Sequence, residues 1–205
     1  MKIYCDTEFT GLRKDTELIS IGIIADDGRT FYAESNEYSL DNIHKDDKKW
    51  LSENVIPYLI YNDKREVFSY RTLHRIDDTK EYFMKGNKQQ ISVALKSWLL
   101  KYDDILFVGD VLAYDWVLFC DLLSERAVDI PKYISYTPID IATLMYVKGI
   151  DPLEITRMEY VDTSDLNGEK IWQKQHNALY DAIIIKRIYY KLTNAIKNYN
   201  ISINL

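Results

Sequence analysis

Two acidic side chains near the start of the chain, Asp6 and Glu8, have the types and the spacing that metal chemistry requires. They follow a short apolar run, residues 1–5, which predicts a β-strand. Because side chains at i and i+2 of a strand face the same side, the two carboxylates should lie next to each other at the end of that strand. Two carboxylates about 6 Å apart repel by roughly 3 kcal/mol at an effective dielectric constant of about 20, and a bound Mg²⁺ or Mn²⁺ would remove that repulsion. The alternative is a solvated acidic strand end before a turn at Gly11.

Two further parts of the chain carry residue types that suit the same chemistry. His176 and Asp181 stand near the C-terminus, and the pair Tyr114-Asp115 stands at mid-chain. Each also has a plain structural explanation, because an aspartate near the start of a helix is favoured by the helix dipole and a single histidine is commonly a capping or surface residue. Their occurrence together with the first acidic pair favours one shared site.

Taken in chain order, the three segments resemble the motifs of the DEDDh 3′-to-5′ exonucleases, a superfamily with an RNase H-like fold. Residues 6–12 are similar to its Asp-x-Glu-x-Thr-Gly-Leu motif, and residues 176–182 are similar to its His-x-Ala-x-x-Asp-Ala motif. The middle segment is the least similar, because Asp110 or Ala113 takes the place of the Asn or Asp that usually precedes the aromatic-Asp pair. The resemblance covers residues 1 to about 190.

This resemblance implies a fold class and a domain organisation. We expect an α/β protein with an RNase H-like mixed sheet of about five strands flanked by helices, and a single DEDDh exonuclease domain over residues 1–205. Residues 50–59 resemble the small stand-alone exoribonuclease branch found in bacteria and phages. Many stand-alone members are homodimers, so the resemblance also implies a homodimer.

The resemblance further implies two divalent metal ions, Mg²⁺ or Mn²⁺, with four carboxylates as their ligands: Asp6, Glu8, Asp115 and Asp181. It implies that His176 accepts the proton of the attacking water, a task that suits an imidazole with a pKa near 6.5. Because His176 lies five residues before Asp181, we expect it on the loop before the last helix, free to move over the metals. The 3′-terminal nucleotide would be held by the loop after the first strand, which contains Phe9, Thr10, Gly11 and Leu12. Phe9 either packs in the core or contacts the terminal sugar.

The resulting functional hypothesis is a metal-dependent 3′-to-5′ exonuclease that hydrolyses single-stranded RNA to nucleoside 5′-monophosphates, with single-stranded DNA as a further substrate. One alternative is a DNA exonuclease with a proofreading or repair role, which would need a polymerase partner. Another is a nucleic-acid-binding protein that has kept the fold and lost catalysis. The presence of all four carboxylates and the histidine argues against that last alternative.

Composition limits the setting in which the protein works. The chain has 205 residues, of which 47% are hydrophobic, and no apolar run approaches the roughly 20 residues of a membrane span. We find no signal peptide, and two cysteines, Cys5 and Cys120, do not make a disulfide framework, which predicts buried thiols and a cytoplasmic location. The net charge of −6 disfavours extensive duplex binding, although two divalent ions would offset four of these charges.

Hydrophobic periodicity predicts the elements that must position these residues. Further strands are expected at residues 18–25, 30–34 and 105–109, and helices at 46–61, 91–100, 114–124 and 178–197, with a short strand and a helix near 137–144. Pro57 should end or kink the first helix. Residues 148–173 are predicted to be loop-like. Residues 62–88 are predicted to be a mixed-charge loop with a short strand at 66–70, and to serve either as a flap that contacts the substrate backbone or as a solvated loop.

Overall fold

The computed structural model describes residues 1–41, 43–61, 80–166 and 174–197. Its centre is one mixed sheet with the strand order β4-β3-β2-β1-β5-β6. The strands are β1 Lys2–Phe9, β2 Leu18–Ala25, β3 Thr30–Ser35, β4 Glu81–Gly86, β5 Leu106–Gly109 and β6 Ile139–Asp140. The first three form an antiparallel meander, whereas β3–β4, β1–β5 and β5–β6 pair in parallel. The predicted α/β class with an RNase H-like mixed sheet is confirmed, with six strands in place of about five.

The prediction of a loop over residues 62–88 is wrong for its last part. Strand β4 occupies Glu81–Gly86 and pairs in parallel with β3, and Lys88 begins the helix that follows. Parallel pairing joins segments about 50 residues apart, so no local turn signal marks it. Two lysines at the end of this stretch have partners among the described residues: Lys85 donates to the carbonyl oxygen of Tyr61, and Lys88 pairs with Asp121. The predicted strand at 66–70, and most of the predicted flap, lie outside the described residues.

Six α-helices are present in the described ranges: α1 Lys45–Asn54, α2 Lys88–Leu99, α3 Asp115–Leu123, α4 Ile141–Val147, α5 Arg157–Tyr160 and α6 Ala178–Lys197. The last helix has the bounds that its periodicity predicted. The first ends earlier than predicted, because Pro57 falls in a short 3₁₀ helix, Ile56–Tyr58. Helix α5 lies in the stretch predicted to be a loop, and it starts with a capping box between Thr156 and Glu159.

Alternation along the strands divides the core into two layers. On one face, Ile3 and Cys5 of β1 pack with α2 and α3 in a cluster that includes Leu95 and Phe119. On the other face, Tyr4 belongs to a cluster with α4 and α6. Because Asp6 and Glu8 are in phase with Tyr4, their side chains face the α6 layer.

Helix α6 starts directly against the sheet, at Gly22 of β2. A Cβ atom at Gly22 would lie 2.2 Å from the carbonyl carbon of Ala178 and 2.2 Å from the backbone nitrogen of Leu179, so only glycine allows this approach. Gly22 is the β2 partner of Asp6 in the sheet register. The close approach therefore brings the start of α6 next to the acidic end of β1.

Neither cysteine is exposed, since Cys5 and Cys120 are buried free thiols, as predicted. Among the described helices, none is both long and apolar enough to cross a bilayer.

Candidate active site

The site begins at the C-terminal end of β1. Glu8 is buried and Asp6 is half-buried, and their partners on β2 are Ser20 and Gly22. The register between the two strands shifts immediately after Glu8, so that Phe9 pairs with Leu18. Such irregularities bend a strand and re-aim its side chains, and they are common next to functional sites.

The start of α6 contributes Asp181 and His176. The side-chain oxygen of Asn177 accepts hydrogen bonds from the backbone N–H groups of the first turn, which fixes the helix start. His176 lies on the turn before the helix, as its spacing from Asp181 predicted. Its φ is +67°, and its backbone N–H donates to Oδ2 of Asp181 at 2.7 Å. One ligand atom from each of Glu8, His176 and Asp181 lies within 4.8 Å of the others.

Asp115 approaches the same strand end from the other side of the sheet. It is the first residue of α3 and is buried, and its Oδ1 atom accepts hydrogen bonds from the backbone N–H and the hydroxyl of Thr7. Strand β5 pairs with β1 only as far as Tyr4, so the backbone N–H of Thr7 is open to this side chain. The charges of Asp115, Asp181 and Glu8 all raise the pKa of Asp6, which places the four carboxyl groups in one electrostatic cluster.

Burial and mutual repulsion disfavour the ionised forms of these carboxyl groups. Burial is the largest cause of the raised pKa of Asp6 and Glu8, and neighbouring carboxylates add to it. Burial also raises the pKa of Asp115 to about 6, against the hydrogen bonds from Thr7, and that of Asp181 to about 7, against the bond from His176. Within the described ranges, no lysine or arginine pairs with any of the four. A group of hard oxygen donors that lacks a lysine or arginine partner is suited to bind Mg²⁺ or Mn²⁺.

A fifth acid in the neighbourhood, whose charge also raises the pKa of Asp6, Asp115 and Asp181, has an arginine partner. Asp110 follows β5, and both of its carboxylate oxygens accept from the guanidinium of Arg157, at 2.5 and 2.8 Å. Asp110 was one of the two residues proposed for the upstream place of the middle motif, and this ion pair sets it apart from the other four acids. Arg157 was not recognised from the sequence, because it lies 47 residues from Asp110 on a four-residue helix.

The loop after β1 opens beside this cluster. Phe9 stacks on Tyr114 with ring centroids 5.0 Å apart, so it packs against a neighbouring side chain and not in the central core. Thr10 is fully buried and its hydroxyl accepts from the backbone N–H of Glu17, which closes the loop. Gly11 has φ +138°, and the side chain of Leu12 is 79% exposed. An exposed apolar side chain on a loop that is held in place by a hydrogen bond is available to contact a ligand.

An aromatic contact that the sequence did not reveal involves the imidazole of His176. The ring of Trp50, on α1, meets it edge-to-face with centroids 4.9 Å apart. The predicted free movement of His176 is thus restrained by a ring contact and by the hydrogen bond of its backbone to Asp181.

Comparison with known proteins shows the family of the chain. A family model described as the 3′-5′ exoribonuclease Rv2179c-like domain matches residues 1–193. The chain belongs to this family. Two curated relatives from Mycobacterium tuberculosis, 3′-5′ exoribonuclease Rv2179c of strain ATCC 25618 / H37Rv and 3′-5′ exoribonuclease MT2234.1 of strain CDC 1551 / Oshkosh, are each 31% identical over 105 residues. The aligned residues cover 51% of this chain and 58% of each relative, which is less than two thirds of their length.

Among solved structures, the Neurospora crassa Pan2 catalytic unit, with its protease and nuclease domain, is similar at a TM-score of 0.45 and 15% identity. The match covers 97% of this chain and 28% of that one.

The sequence-predicted residues thus meet at one strand end. Glu8, His176 and Asp181 bring ligand atoms close together, and the loop of residues 9–12 follows β1 beside them. Asp6 and Asp115 are outside this group of three, and their charges act on the same cluster. Sequence reasoning missed Gly22, Trp50 as a partner of His176, and Arg157. Only Gly22 carried a signal that could have been used, because a glycine inside an apolar strand marks a close approach of another backbone.

Proposed function

We propose that this chain is a metal-dependent 3′-to-5′ exonuclease that shortens single-stranded RNA and releases nucleoside 5′-monophosphates. The observation that carries the proposal is the convergence of Glu8, His176 and Asp181 on one point, next to the electrostatically coupled Asp6. Within the described ranges, no lysine or arginine forms an ion pair with these carboxylates. Membership of a family described as 3′-5′ exoribonuclease, and two relatives of that name, support RNA as the substrate class.

Asp6, Glu8, Asp115 and Asp181 would hold two divalent ions, Mg²⁺ or Mn²⁺. Asp6, on which the charges of the other three converge, is the best candidate to contribute to both sites. When bound, such ions neutralise the phosphate, activate water and stabilise the leaving oxygen. Thr7 holds the Asp115 carboxylate in place through two hydrogen bonds.

His176 would accept the proton of the attacking water. Burial lowers its pKa, so the imidazole is neutral at pH 7 and has a free nitrogen to accept a proton. The ring contact with Trp50 and the backbone bond to Asp181 orient the side chain toward Glu8 and Asp181. The exposed side chain of Leu12 would contact the terminal base, while the backbone of the 9–12 loop would hold the terminal nucleotide.

The proposal is tested with 5′-labelled single strands of RNA and DNA of the same sequence, incubated with Mg²⁺ or Mn²⁺. We expect a ladder that shortens from the 3′ end, mononucleotides with a 5′-phosphate, and faster digestion of RNA. A 3′-phosphate should block digestion, because the loop of residues 9–12 is expected to receive a 3′-hydroxyl. Faster digestion of DNA would favour the proofreading or repair alternative, cleavage of a circular strand would contradict the exonuclease assignment, and binding without hydrolysis would favour the inactive alternative.

Replacement of His176, the proposed general base, tests its role separately from that of the carboxylates. His176→Ala should slow turnover by roughly 10² to 10⁴, the usual contribution of a general base, while the Mg²⁺ concentration for half-maximal activity stays nearly unchanged. A large increase in that concentration would make His176 a metal ligand or a structural support instead.

Three further predictions concern the whole protein. We propose one exonuclease domain over residues 1–205, a homodimer and a cytoplasmic location. Light scattering of the purified chain tests the dimer, and a monomer at micromolar concentration would contradict it.

A further inference from the structure

A buried carboxyl group that the proposed reaction does not use lies behind the site. Glu34 on β3 is 1% exposed, and it occupies the same row of the sheet as Glu8, with Ser20 on the strand between them. Burial raises the pKa of Glu34, against hydrogen bonds from Tyr61 and Tyr32. A carboxyl group in such a position is unfavourable for folding, so its presence requires a reason.

Glu34 is one end of a chain of hydrogen bonds that reaches the active-site turn. Its Oε1 atom accepts from the Tyr32 hydroxyl at 2.9 Å and from the backbone N–H of Tyr61 at 3.0 Å. The Tyr32 oxygen accepts in turn from Nδ2 of Asn177 at 3.4 Å. Tyr32 and Asn177 are both fully buried, so bulk water does not compete for these bonds.

Asn177 connects this chain to the turn that carries His176. Its Nδ2 atom also donates to the carbonyl oxygen of Tyr58 at 2.9 Å, and its Oδ1 atom accepts from the backbone N–H groups of Leu179 and Tyr180. His176, the residue before it, has φ +67°, a conformation that non-glycine residues rarely adopt without support from their surroundings. The bonds of Asn177 supply that support from the adjacent position.

The direction of the hydrogen bonds matters as much as their presence. Because the Tyr32 hydroxyl donates its hydrogen bond to Glu34, the Tyr32 oxygen can offer only a lone pair to Asn177. The amide of Asn177 must then direct Nδ2 toward β3, which leaves Oδ1 for the start of α6. The carbonyl oxygen of Tyr58 and the backbone N–H groups at the start of α6 require the same orientation of the amide. An acceptor at position 34 therefore reinforces this orientation of Asn177.

We propose that Glu34 is a positioning residue, which acts through Tyr32 and Asn177 to hold the His176 imidazole in its working orientation. The inference rests on the proposed function, in which His176 is the general base. In this role Glu34 would act only through Tyr32 and Asn177.

The first test removes the bridging hydroxyl. Tyr32→Phe should lower kcat by about 10²-fold, the order expected for a misplacement of about 1 Å, and leave KM nearly unchanged. The matched control is Tyr4→Phe, since Tyr4 is also a fully buried strand residue whose hydroxyl donates to a carboxylate, Asp26, at 2.8 Å. Its kcat should stay at the native value. A change in KM alone for Tyr32→Phe would overturn the proposal.

The second test places Tyr32→Phe in the His176→Ala background. If the hydrogen bonds from Glu34 through Tyr32 act through the imidazole, the double variant should be no slower than His176→Ala alone. The imidazole that they position is absent in both variants. Two effects that multiply would mean that Tyr32 acts independently of His176, and the proposal would be wrong.

The third test varies the acceptor and covers the case in which Tyr32→Phe does not fold. Glu34→Gln keeps an oxygen for both donors and should stay near the native kcat, whereas Glu34→Met keeps the length without an acceptor and should reproduce the loss. An equal loss in both variants would overturn the route through Tyr32.

A measurement without catalysis separates this inference from the proposed function. The chain has three histidines, His44, His74 and His176, so the imidazole NMR signals of His176 can be assigned by their loss in His176→Ala. Tyr32→Phe or Glu34→Met should shift the His176 signals in the absence of substrate, and Tyr4→Phe should not. Unchanged His176 signals in both variants would overturn the inference, whatever activity the native protein has.

Discussion

Carboxylates at the two ends of strand β1 have opposite surroundings: hydrogen-bond donors and a cation at one end, and other carboxylates at the other. At the N-terminal end, Asp26 receives hydrogen bonds from the hydroxyls of Tyr4 and Tyr190, each at 2.8 Å, and an ion pair from Lys2. Although burial alone would raise its pKa, these donors lower it. At the C-terminal end, Asp6 and Glu8 lie among other carboxylates, and their pKa is raised.

The difference indicates which end is built for stability and which for a ligand. The Asp26 end satisfies its charge with groups of the protein itself, as a structural carboxylate usually does. At the Asp6 end, no described lysine or arginine compensates the charge, so ionised carboxylates are unfavourable there unless a cation binds or protons neutralise them. Both ends lie on one strand and face the same layer, so they form an internal control for each other.

The largest expected effect separates the two ends by activity. Asp6→Asn should reduce hydrolysis to the level of the buffer control, because an amide cannot supply the negative charge needed to hold two cations. Asp26→Asn, the same chemical change at the other end, should keep native activity. Both variants are assayed on labelled RNA after circular dichroism has established that they fold. Comparable losses in the two variants would break the comparison.

The second prediction concerns stability without metal. Asp115 and Asp181 have pKa values raised to about 6 and about 7, so between pH 4 and 7 the folded state holds more protons than the unfolded state. Stability of the metal-free protein should therefore fall as pH rises across this range, by up to about 1.4 kcal/mol for each pKa unit of each group. Mg²⁺ should restore stability at pH 7.

Urea unfolding in EDTA and in Mg²⁺, at pH 4.5 and pH 7, measures this effect. Asp6→Asn serves as the control, because removal of one charge from the cluster should make the metal-free protein less sensitive to pH and weaken the response to Mg²⁺. If the stability of the native protein in EDTA increases from pH 4.5 to pH 7, the assignment of raised pKa values to these carboxyl groups is wrong.

Local patterns in the sequence predicted much of this arrangement, whereas contacts between distant segments were not predicted. The i, i+2 spacing of Asp6 and Glu8 and the periodicity of α6 are properties of short segments, so the sequence is sufficient for both. Strand β4 and the Asp110–Arg157 pair depend on segments that meet only in the folded chain, and nothing in their own residues marks the partner.

The third prediction concerns the packing that joins α6 to the acidic end. Gly22→Ala would place a methyl group against the backbone of α6, which should cost about 1–3 kcal/mol and move His176 and Asp181 away from β1. Activity should fall along with stability. The control is Gly28→Ala in the turn beside Asp26, where φ is +85° and no atom lies within 4 Å of the new methyl. It should lose about 1–2 kcal/mol from backbone strain and keep its activity per folded molecule.

The smallest expected effect is the stability change on altering the satisfied end. Asp26→Asn keeps an oxygen for the hydroxyls of Tyr4 and Tyr190 but loses the charge that attracts Lys2, so we expect a loss of about 1 kcal/mol at pH 7. Because the folded pKa of Asp26 lies below the ordinary value of 3.8, this contribution is present above that pH and disappears as the pH falls further. The native and variant unfolding curves should therefore converge in acid, while EDTA and Mg²⁺ leave their difference unchanged. A difference that depends on Mg²⁺ would mean that the two ends of β1 are coupled, and the contrast between a structural and a ligand-binding end would then need to be redrawn.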